Sequence, residues 1–446
     1  MASMTRLTWP LYALLFLIAF QVQAKVPWTA PDTPYLSGEE VCAKYHDRRG
    51  REQAVWISVP VSYQDAAQGS FSLYTWTRKP WMPGKPVLIY VDGGPGNTSH
   101  SSELDLPDWN VVFFDQRGNS CSRPPTEELY LRRDFYDSRN TARDIDEIRK
   151  ALGESLISVY GVSYGTVPAH LYGFLFPEHL RALVLEGVVA QADAETLINN
   201  PHRLTALQNF FETLPLSTRQ RILQISQKPE NAYWFADVGR MMMYLDRPWQ
   251  AFTHFLDGVL SSDEALEALI PSFGPRKNQD EEFGFSQVMM NMLACKEMGM
   301  NTPGASFRAR FQDGRLRLAS SNELREENCQ PLGFQESENF KVFRSENFPL
   351  TVPVTYLQGA LDGATAAHQA RRSYDLATRS FACLISIDQG GHVPVFGALS
   401  SGYESGASLV LRQHLLSAAI QGQEVSETTL NELSLMTEMK WEKNCR

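Results

Sequence analysis

Short apolar runs alternate with amphipathic or polar stretches along most of the chain. Two runs rich in Val, Ile, Tyr and Trp alternate apolar and polar positions and predict an antiparallel hairpin at a sheet edge, at residues 53–62 and 70–77. Continuous apolar runs, typical of strands buried on both faces, follow at residues 86–91, 110–115, 156–160 and 181–189. Helical periodicity separates several of these runs, most clearly at residues 140–152. Strands that alternate with helices predict a mostly parallel, doubly wound sheet.

This rhythm stops at residue 190. The residues that follow lack runs rich in Val and Ile, and their periodicity predicts helices at residues 192–214, 218–225, 234–244, 262–269 and 285–296. Strand-like runs and a last amphipathic helix then return, at residues 352–357, 381–387 and about 406–420. The sheet pattern is therefore interrupted by a long helical segment.

The interruption predicts the domain organisation of an α/β protein. We expect residues 25–190 and 346–446 to form the two halves of one sheet-containing core. Residues 191–345 are predicted to be an inserted helical cap over the carboxyl edge of the sheet. Open parallel sheets bind their ligands at that edge.

The first 24 residues have the pattern of a signal peptide. Arg6 precedes an apolar run at residues 11–20, and Val-Gln-Ala at residues 22–24 fits a small-residue cleavage site. An uncleaved membrane anchor is the alternative, but the run is short for a helix that spans a bilayer. We expect an exported chain, periplasmic or secreted, without a stable membrane span after cleavage.

The chain has six cysteines, which are widely spaced and include no Cys-x-x-Cys pair. An even number of cysteines in an exported protein favours disulfides, for which 15 pairings are possible. Order along the chain favours Cys42–Cys121, Cys295–Cys329 and Cys383–Cys445.

Charge and motif content argue against several classes of partner. The formal charge of −10 disfavours nucleic acid, because phosphate binding needs a basic surface. No His-Glu-x-x-His or similar ligand spacing indicates a metal, and no Gly-x-Gly-x-x-Gly loop indicates a nucleotide. We expect neither a metal nor a cofactor.

The strongest chemical signal is Gly-Val-Ser-Tyr-Gly at residues 161–165, between an apolar run and a helix-like run at residues 166–176. A strand, a tight turn and a helix form the context in which Gly-x-Ser-x-Gly presents a nucleophilic serine. The turn is strained and brings backbone segments together, so the flanking positions need glycine. We predict that Ser163 is a nucleophile.

Two further residues follow predicted strands at the same edge of the sheet. Asp362 and His392 complete the order nucleophile, acid, base that characterises α/β-hydrolases. We expect His392 to take the proton of Ser163 and Asp362 to orient the imidazole. His414, inside the last helix, and Asp388, four residues before His392, are weaker candidates for base and acid.

Glycines also follow the predicted strand at residues 86–91, in Asp-Gly-Gly-Pro-Gly at residues 92–96. Such a loop exposes backbone N–H groups that can form half of an oxyanion hole. We predict that the N–H groups of Gly94 and Tyr164 bind the oxyanion. A simple tight turn is the alternative for the loop.

Asp115 and Arg117 follow the next predicted strand. A catalytic role is conceivable, but we favour a structural ion pair between them that braces the loop.

The segments at residues 92–96, 115–118, 161–165, 359–362 and 391–392 together resemble the prolyl aminopeptidase branch of α/β-hydrolases, and more closely its exported tripeptidyl aminopeptidase-like members. The resemblance covers about residues 40–190 and 345–446. It implies an α/β-hydrolase fold and peptide substrates with a free N-terminus, cleaved through an acyl-enzyme. It also implies acidic cap residues that hold the substrate ammonium group.

The resemblance nominates two carboxylates for that ammonium. Tripeptidyl-like members carry a Cys-x-acid stretch in the cap, and Cys295-Lys296-Glu297 is similar, so Glu297 is the first candidate. Glu186, at the end of its strand, is the second. The chain departs from the prolyl enzymes at Asp92, where they usually carry His.

Three functions compete. The first is an exported serine aminopeptidase that releases Pro, other single residues or short peptides. The second is a carboxylesterase or lipase-like hydrolase with the same triad and an apolar pocket lined by methionines, at residues 241–243, 289, 290 and 292. The third, a catalytically silent binding protein, is disfavoured because all three triad candidates are present.

Overall fold

The structure is a computed structural model. It describes residues 35–44, 53–99, 104–190, 201–228, 231, 234–262, 285–298, 308–310, 317–319, 329, 332–333, 347–400 and 406–446. The predicted signal peptide and the predicted helix after residue 262 lie outside these residues. No helix in the described ranges is long and apolar enough to cross a membrane.

The described strands, in chain order, are β1 (Gln53–Pro60), β2 (Ser70–Thr77), β3 (Val87–Val91), β4 (Asn110–Phe114), β5 (Ile157–Val162), β6 (Leu180–Glu186), β7 (Arg308–Arg310), β8 (Arg317–Ala319), β9 (Val354–Gly359), β10 (Ala382–Ile387) and β11 (Trp441–Cys445).

The described helices are α1 (Gly38–Lys44), α2 (Glu127–Tyr130), α3 (Ser138–Ala151), α4 (Thr166–Leu175), α5 (Pro201–Thr213), α6 (Leu216–Ile225), α7 (Trp234–Met242), α8 (Pro248–Val259), α9 (Gln287–Glu297), α10 (Ala367–Leu376), α11 (Pro394–Ser400), α12 (Ala407–Ile420) and α13 (Glu427–Thr437). Single 3₁₀ turns occur at Ala66–Gln68, Ser120–Ser122, Arg133–Phe135, Ser163–Gly165 and Pro177–His179.

Several helices begin at a polar residue that caps the first turn. The side chain of Asp137 accepts a bond from Asn140 N at the start of α3, at 2.6 Å. Ser286 accepts from Met289 N at the start of α9, at 3.2 Å. These caps satisfy N–H groups that have no partner within the helix.

Nine strands form one twisted sheet in the order β1-β2-β4-β3-β5-β6-β9-β10-β11. The six central strands, from β4 to β10, are parallel. The hairpin β1–β2 and the strand β11 are antiparallel to their neighbours and form the two edges. The predicted doubly wound sheet and its edge hairpin are confirmed.

Helices cover both faces of the sheet. Along β3, the fully buried Leu88 and Tyr90 face the hydrophobic cluster that contains residues of α11, α12 and α13. Ile89 and Val91 face the opposite cluster, which contains residues of α3, α4, α9 and α10. Burial on both faces explains why the central strands are continuous apolar runs.

The long helical segment is an insertion between strands that touch. β6 and β9 are paired, although residues 187–353 separate them in the chain. Helices α5 to α8 have a hydrophobic cluster of their own, whereas α9 contributes to the cluster on the sheet. Within this segment β7 and β8 form a two-stranded sheet, so the expectation of helices alone was wrong.

The three disulfides join Cys42 to Cys121, Cys295 to Cys329 and Cys383 to Cys445. The predicted pairing is confirmed. Cys295 lies in α9 and Cys329 in the same inserted segment, so this bond ties a later part of the insertion to a helix that packs on the core. Cys383 and Cys445 face each other in the register of β10 and β11.

Candidate active site

Ser163 follows β5 directly and has a backbone φ of +53°. The left-handed conformation is rare for residues other than glycine and indicates strain at this turn. At Gly165 an added Cβ would lie 2.6 Å from Asp92 O and closer still to Val91 O. Glycine at 165 therefore lets the turn pack against the end of β3.

The glycine-rich loop at residues 92–96 packs directly on this turn. A Cβ on Gly93 would lie 2.8 Å from Ser163 Cβ and 3.3 Å from Ser163 Oγ. The N–H of Gly93 donates to Asp92 Oδ1 at 2.6 Å, so it is already engaged. Gly94, the next residue, has a φ of +107°. The loop that carries Gly94 and the turn that carries Tyr164 thus lie side by side, as the predicted oxyanion donors require.

Asp92 anchors the loop and is buried. The side-chain amide of Gln116 donates to Asp92 O at 2.7 Å, which ties the loop to the residues after β4. Burial raises the pKa of the Asp92 carboxyl to about 6, against the opposing effect of the Gly93 N–H bond. Asp92, a carboxyl with a raised pKa, therefore directly precedes Gly93, which packs against Ser163.

Asp362 and His392 lie beyond β9 and β10 and contact each other. The distance from His392 Nδ1 to Asp362 Oδ2 is 2.8 Å, and both side chains are buried. The contact assigns the Nδ1 proton to this bond and leaves Nε2 as an acceptor.

Four further donors hold the Asp362 carboxylate. They are the backbone N–H groups of Ala364 and Thr365 at 2.7 and 2.8 Å, the Thr365 hydroxyl at 2.7 Å, and the Gln358 amide at 3.1 Å. A carboxylate bound by this many donors has a fixed orientation, and it fixes the imidazole in turn.

His392 packs on the end of β6, the strand that pairs with the one ending before Ser163. Val162, directly before Ser163, is paired with Glu186 on β6, and Gly187 follows Glu186. A Cβ on Gly187 would lie 2.9 Å from His392 Cε1, so the imidazole covers the end of β6. Neighbouring strands are about 4.8 Å apart. The structure therefore places the three predicted catalytic residues at the same edge of the sheet, with Asp362 and His392 in contact.

The inserted segment contacts the histidine and aspartate loops at points that sequence reasoning missed. The N–H of His392 donates to Met243 O at 3.1 Å, and the Tyr244 ring packs edge-on against the imidazole at 4.9 Å. Arg203 Nε donates to the carbonyl of Gly363 at 2.7 Å. The methionine run at residues 241–243 was the only sequence signal near these contacts, and its side chains are buried.

Glu297, the first candidate for the substrate ammonium, ends α9. Its carboxylate accepts from Ser138 N at 3.0 Å and from the Ser138 hydroxyl, which lies 2.9 Å from the Tyr164 hydroxyl. Burial, together with the nearby Asp137 carboxylate, raises the pKa of Glu297 to about 7. Ser138 thus connects the Glu297 carboxylate to the side chain of Tyr164, the residue after Ser163.

Glu186, the second candidate, is fully buried beneath the histidine loop. Its carboxylate accepts from Val395 N at 2.6 Å, from Phe396 N at 3.1 Å and from the Tyr160 hydroxyl. Burial raises the pKa of Glu186 to about 7. These contacts with core donors favour a role in holding the loop over a role in binding a substrate amine.

The expected ion pair between Asp115 and Arg117 was wrong. Arg117 pairs instead with Asp144 of α3, with N–O distances of 2.6 and 2.8 Å, and both side chains are buried. Asp115 accepts from Ser99 N and Cys121 N, both at 3.3 Å. Both residues therefore brace their loop, as expected, but each with a different partner.

Comparison with known proteins supports the fold and a hydrolase relationship. Residues 86–237 match the sequence model of a family described as the α/β hydrolase fold. Over 50 residues, 11% of this chain and 9% of the relative, the chain is 56% identical to a tripeptidyl aminopeptidase of Streptomyces lividans. Over 108 residues, 24% of this chain and 33% of the relative, it is 33% identical to a proline iminopeptidase of Xylella fastidiosa.

A solved structure of a proline iminopeptidase from Mycobacterium smegmatis is similar with a TM-score of 0.44 and 14% sequence identity, covering 83% of this chain and 98% of that one. The aligned segments span about a tenth to a third of the length of the two sequence relatives. The strand order and the match to this family show that the chain has an α/β-hydrolase fold. The two sequence relatives are named as aminopeptidases.

Proposed function

We propose that this chain is an exported serine aminopeptidase that hydrolyses peptide bonds near free N-termini and releases Pro or a short peptide. The observation that carries the proposal is the 2.8 Å contact between Asp362 and His392 at the sheet edge where Ser163 adopts a strained backbone. The relatives named as aminopeptidases favour peptides over other acyl substrates.

In the proposed reaction Ser163 Oγ attacks the scissile carbonyl carbon and forms a C–O bond, while His392 Nε2 takes the hydroxyl proton. Asp362 holds the imidazole and stabilises its charged form. The N–H groups of Tyr164 and Gly94 bind the oxyanion of the tetrahedral intermediate. The C–N bond then breaks as His392 returns the proton to the leaving amine, and water hydrolyses the acyl-enzyme by the same steps.

Glu297 is proposed to bind the substrate ammonium group. Its support is its place beside Ser138 and Tyr164, since the residue after the nucleophile lies at the centre of the site. An arriving ammonium group would favour the ionised form of a carboxyl whose pKa burial has raised to about 7. The proposal does not extend to Glu186, whose contacts lie within the core.

Export is supported by the disulfides. Three pairs of cysteines are bonded within the described residues. Disulfides persist in the periplasm or outside the cell and are rare in the cytosol.

The test is mass spectrometry of the products from matched unmodified and N-acetylated peptides. We expect release of single residues or short peptides from the unmodified peptides alone. Equal cleavage of both sets would indicate an endopeptidase, and hydrolysis of simple esters without any peptide cleavage would indicate the carboxylesterase. Either result would overturn the proposed function.

A further inference from the structure

His392 is followed by a strained residue and a short helix. Val393 has a φ of +51°, a left-handed conformation that strains a β-branched residue. α11 begins at the next residue, Pro394, so the backbone that carries the imidazole is joined to this helix by one strained residue. Such a conformation persists only where the surroundings hold it in place.

The carboxylate of Glu186 provides a fixed point for that helix. It accepts from Val395 N at 2.6 Å and from Phe396 N at 3.1 Å, two N–H groups in the first turn of α11 that have no acceptor within the helix. The Tyr160 hydroxyl donates to the same carboxylate from β5. Glu186 thus links two central strands to the start of α11.

The neighbouring residue places the imidazole itself. Gly187 follows Glu186, and a Cβ there would lie 2.8 Å from Val393 Cγ1 and 2.9 Å from His392 Cε1. The histidine loop therefore rests on the end of β6. The imidazole of His392 packs against Gly187, and the first turn of α11 is bound by the carboxylate of Glu186. On the other side the His392 N–H donates to Met243 O, so the backbone of His392 is held from both sides.

We propose that Glu186 is a positioning residue that holds His392 in register with Ser163 through the first turn of α11. The inference rests on the proposed role of His392 as the base. Glu186 acts through hydrogen bonds to backbone N–H groups and does not touch the substrate. Its loss should displace the imidazole and slow every step in which His392 moves a proton.

The variants are Glu186→Ala, which removes the acceptors, and Glu186→Gln, which keeps an oxygen for Val395 N. Ser158→Ala is the matched control, because the Ser158 hydroxyl on β5 donates a buried 2.6 Å bond to Ile420 O at the end of α12, outside the proposed site. Three readouts are used: hydrogen exchange of the backbone amides of residues 395–400, the rate at which a fluorophosphonate labels Ser163, and kcat and KM with a free-amine peptide.

We expect Glu186→Ala to lose exchange protection at residues 395 and 396, and to lower the labelling rate and kcat by about 10- to 100-fold with KM little changed. Glu186→Gln should recover most of both rates, and Ser158→Ala should change neither. Equal losses for Ala and Gln would show that the charge matters rather than the positioning, and wild-type rates for Glu186→Ala would also overturn the inference.

The readouts separate two kinds of failure. If the wild type is labelled at Ser163 but cleaves no peptide, the aminopeptidase function fails while labelling still tests the role of Glu186. If wild-type Ser163 is not labelled, the proposed catalytic machinery and this inference fail together, whatever the exchange data show.

Discussion

Asp362 Oδ2 lies 2.8 Å from His392 Nδ1, and the Asp362 carboxylate is also held by backbone and side-chain donors of residues 358–365. These donors fix the orientation of the Asp362 carboxylate, the proposed acid, against the imidazole of His392. An Asn at this position could present its amide nitrogen to Nδ1 and favour the wrong tautomer of the imidazole.

Asp362→Asn should therefore lower kcat by about 10⁴-fold, the effect known for this change in serine protease triads. The control is Asp388→Asn, because Asp388 is close in sequence but exposed, and its carboxylate accepts from Lys440 N at 2.7 Å. Steady-state kinetics should show full activity for the control. Comparable activity in both variants would remove Asp362 from the triad.

Gly165→Ala tests the packing of the turn at Ser163. A methyl group would meet backbone atoms of residues 91 and 92, which cannot yield as a side-chain end can, so we expect a loss of about 1–3 kcal/mol or more in unfolding free energy. Gly258→Ala in α8 is the matched control, since nothing lies within 4 Å of its Cβ position. Helix propensity predicts that this control is stabilised by up to about 1 kcal/mol. Urea unfolding measures both, and equal stabilities would contradict the geometry.

Glu297→Gln should raise KM for peptides with a free amine and leave the hydrolysis of a small activated ester unchanged. The amide keeps an oxygen for the Ser138 N–H but loses the charge that would bind an ammonium group. We expect KM to rise about 5-fold if the ion pair with the ammonium group is worth as much as a surface ion pair, and by more if the pair is desolvated. Kinetics with both substrates measure the split. Equal losses for peptide and ester would show that Glu297 supports Tyr164 rather than the substrate.

His170 gives a defined dependence of stability on pH. Its Nε2 lies 2.8 Å from Phe348 O, and burial lowers the pKa of the imidazole from 6.5 to about 4. Because the unfolded chain binds the proton more readily, His170 stabilises the folded state above pH 6.5, and this contribution falls as pH falls from 6.5 to about 4. The loss reaches about 3 kcal/mol below that window.

His170→Gln keeps a donor for Phe348 O but does not titrate. Glu186 and Glu297 have raised pKa values, so their contributions fall as pH rises and oppose that of His170 in the wild type. The difference in unfolding free energy between wild type and variant cancels these common terms. As pH falls from 7 to 4.5, the unfolding free energy of the wild type should decrease by about 2–3 kcal/mol relative to that of His170→Gln. A constant difference would show that His170 is not buried as the structure has it.

The central strands and the strand-end residues could be predicted from sequence because each leaves a local signal. β2 was predicted with its observed bounds, and Ser163, Asp362 and His392 each follow an apolar run. The edge strand β11 was missed because its sequence, Trp-Glu-Lys-Asn-Cys, is mostly polar and only Trp441 is buried. The helices α10 and α13 were missed because polar side chains obscure their apolar positions.

Pairing between distant side chains leaves no local signal. Arg117 could be recognised as structural, but its partner Asp144 is 27 residues further along the chain, on α3. Asp115, which is close to Arg117 in sequence, was therefore predicted as the partner. The contacts of Met243 and Asp246 with residues 391 and 392 bring together parts of the chain that are nearly 150 residues apart. Glu186 could be located at the catalytic edge, but only its three donors distinguish support of the histidine loop from substrate binding.

The measurement that tests the central claim most directly is the mass of the intact protein and its peptides after reaction with a fluorophosphonate. Ser163 Oγ should form one bond to phosphorus as the P–F bond breaks and fluoride leaves, with the hydroxyl proton taken by His392. We predict one adduct per chain, located on Ser163 and absent from Ser163→Ala, with a reaction at least 100-fold slower in His392→Ala. Labelling at another residue, or a folded wild type that does not react, would contradict the assignment of Ser163, Asp362 and His392.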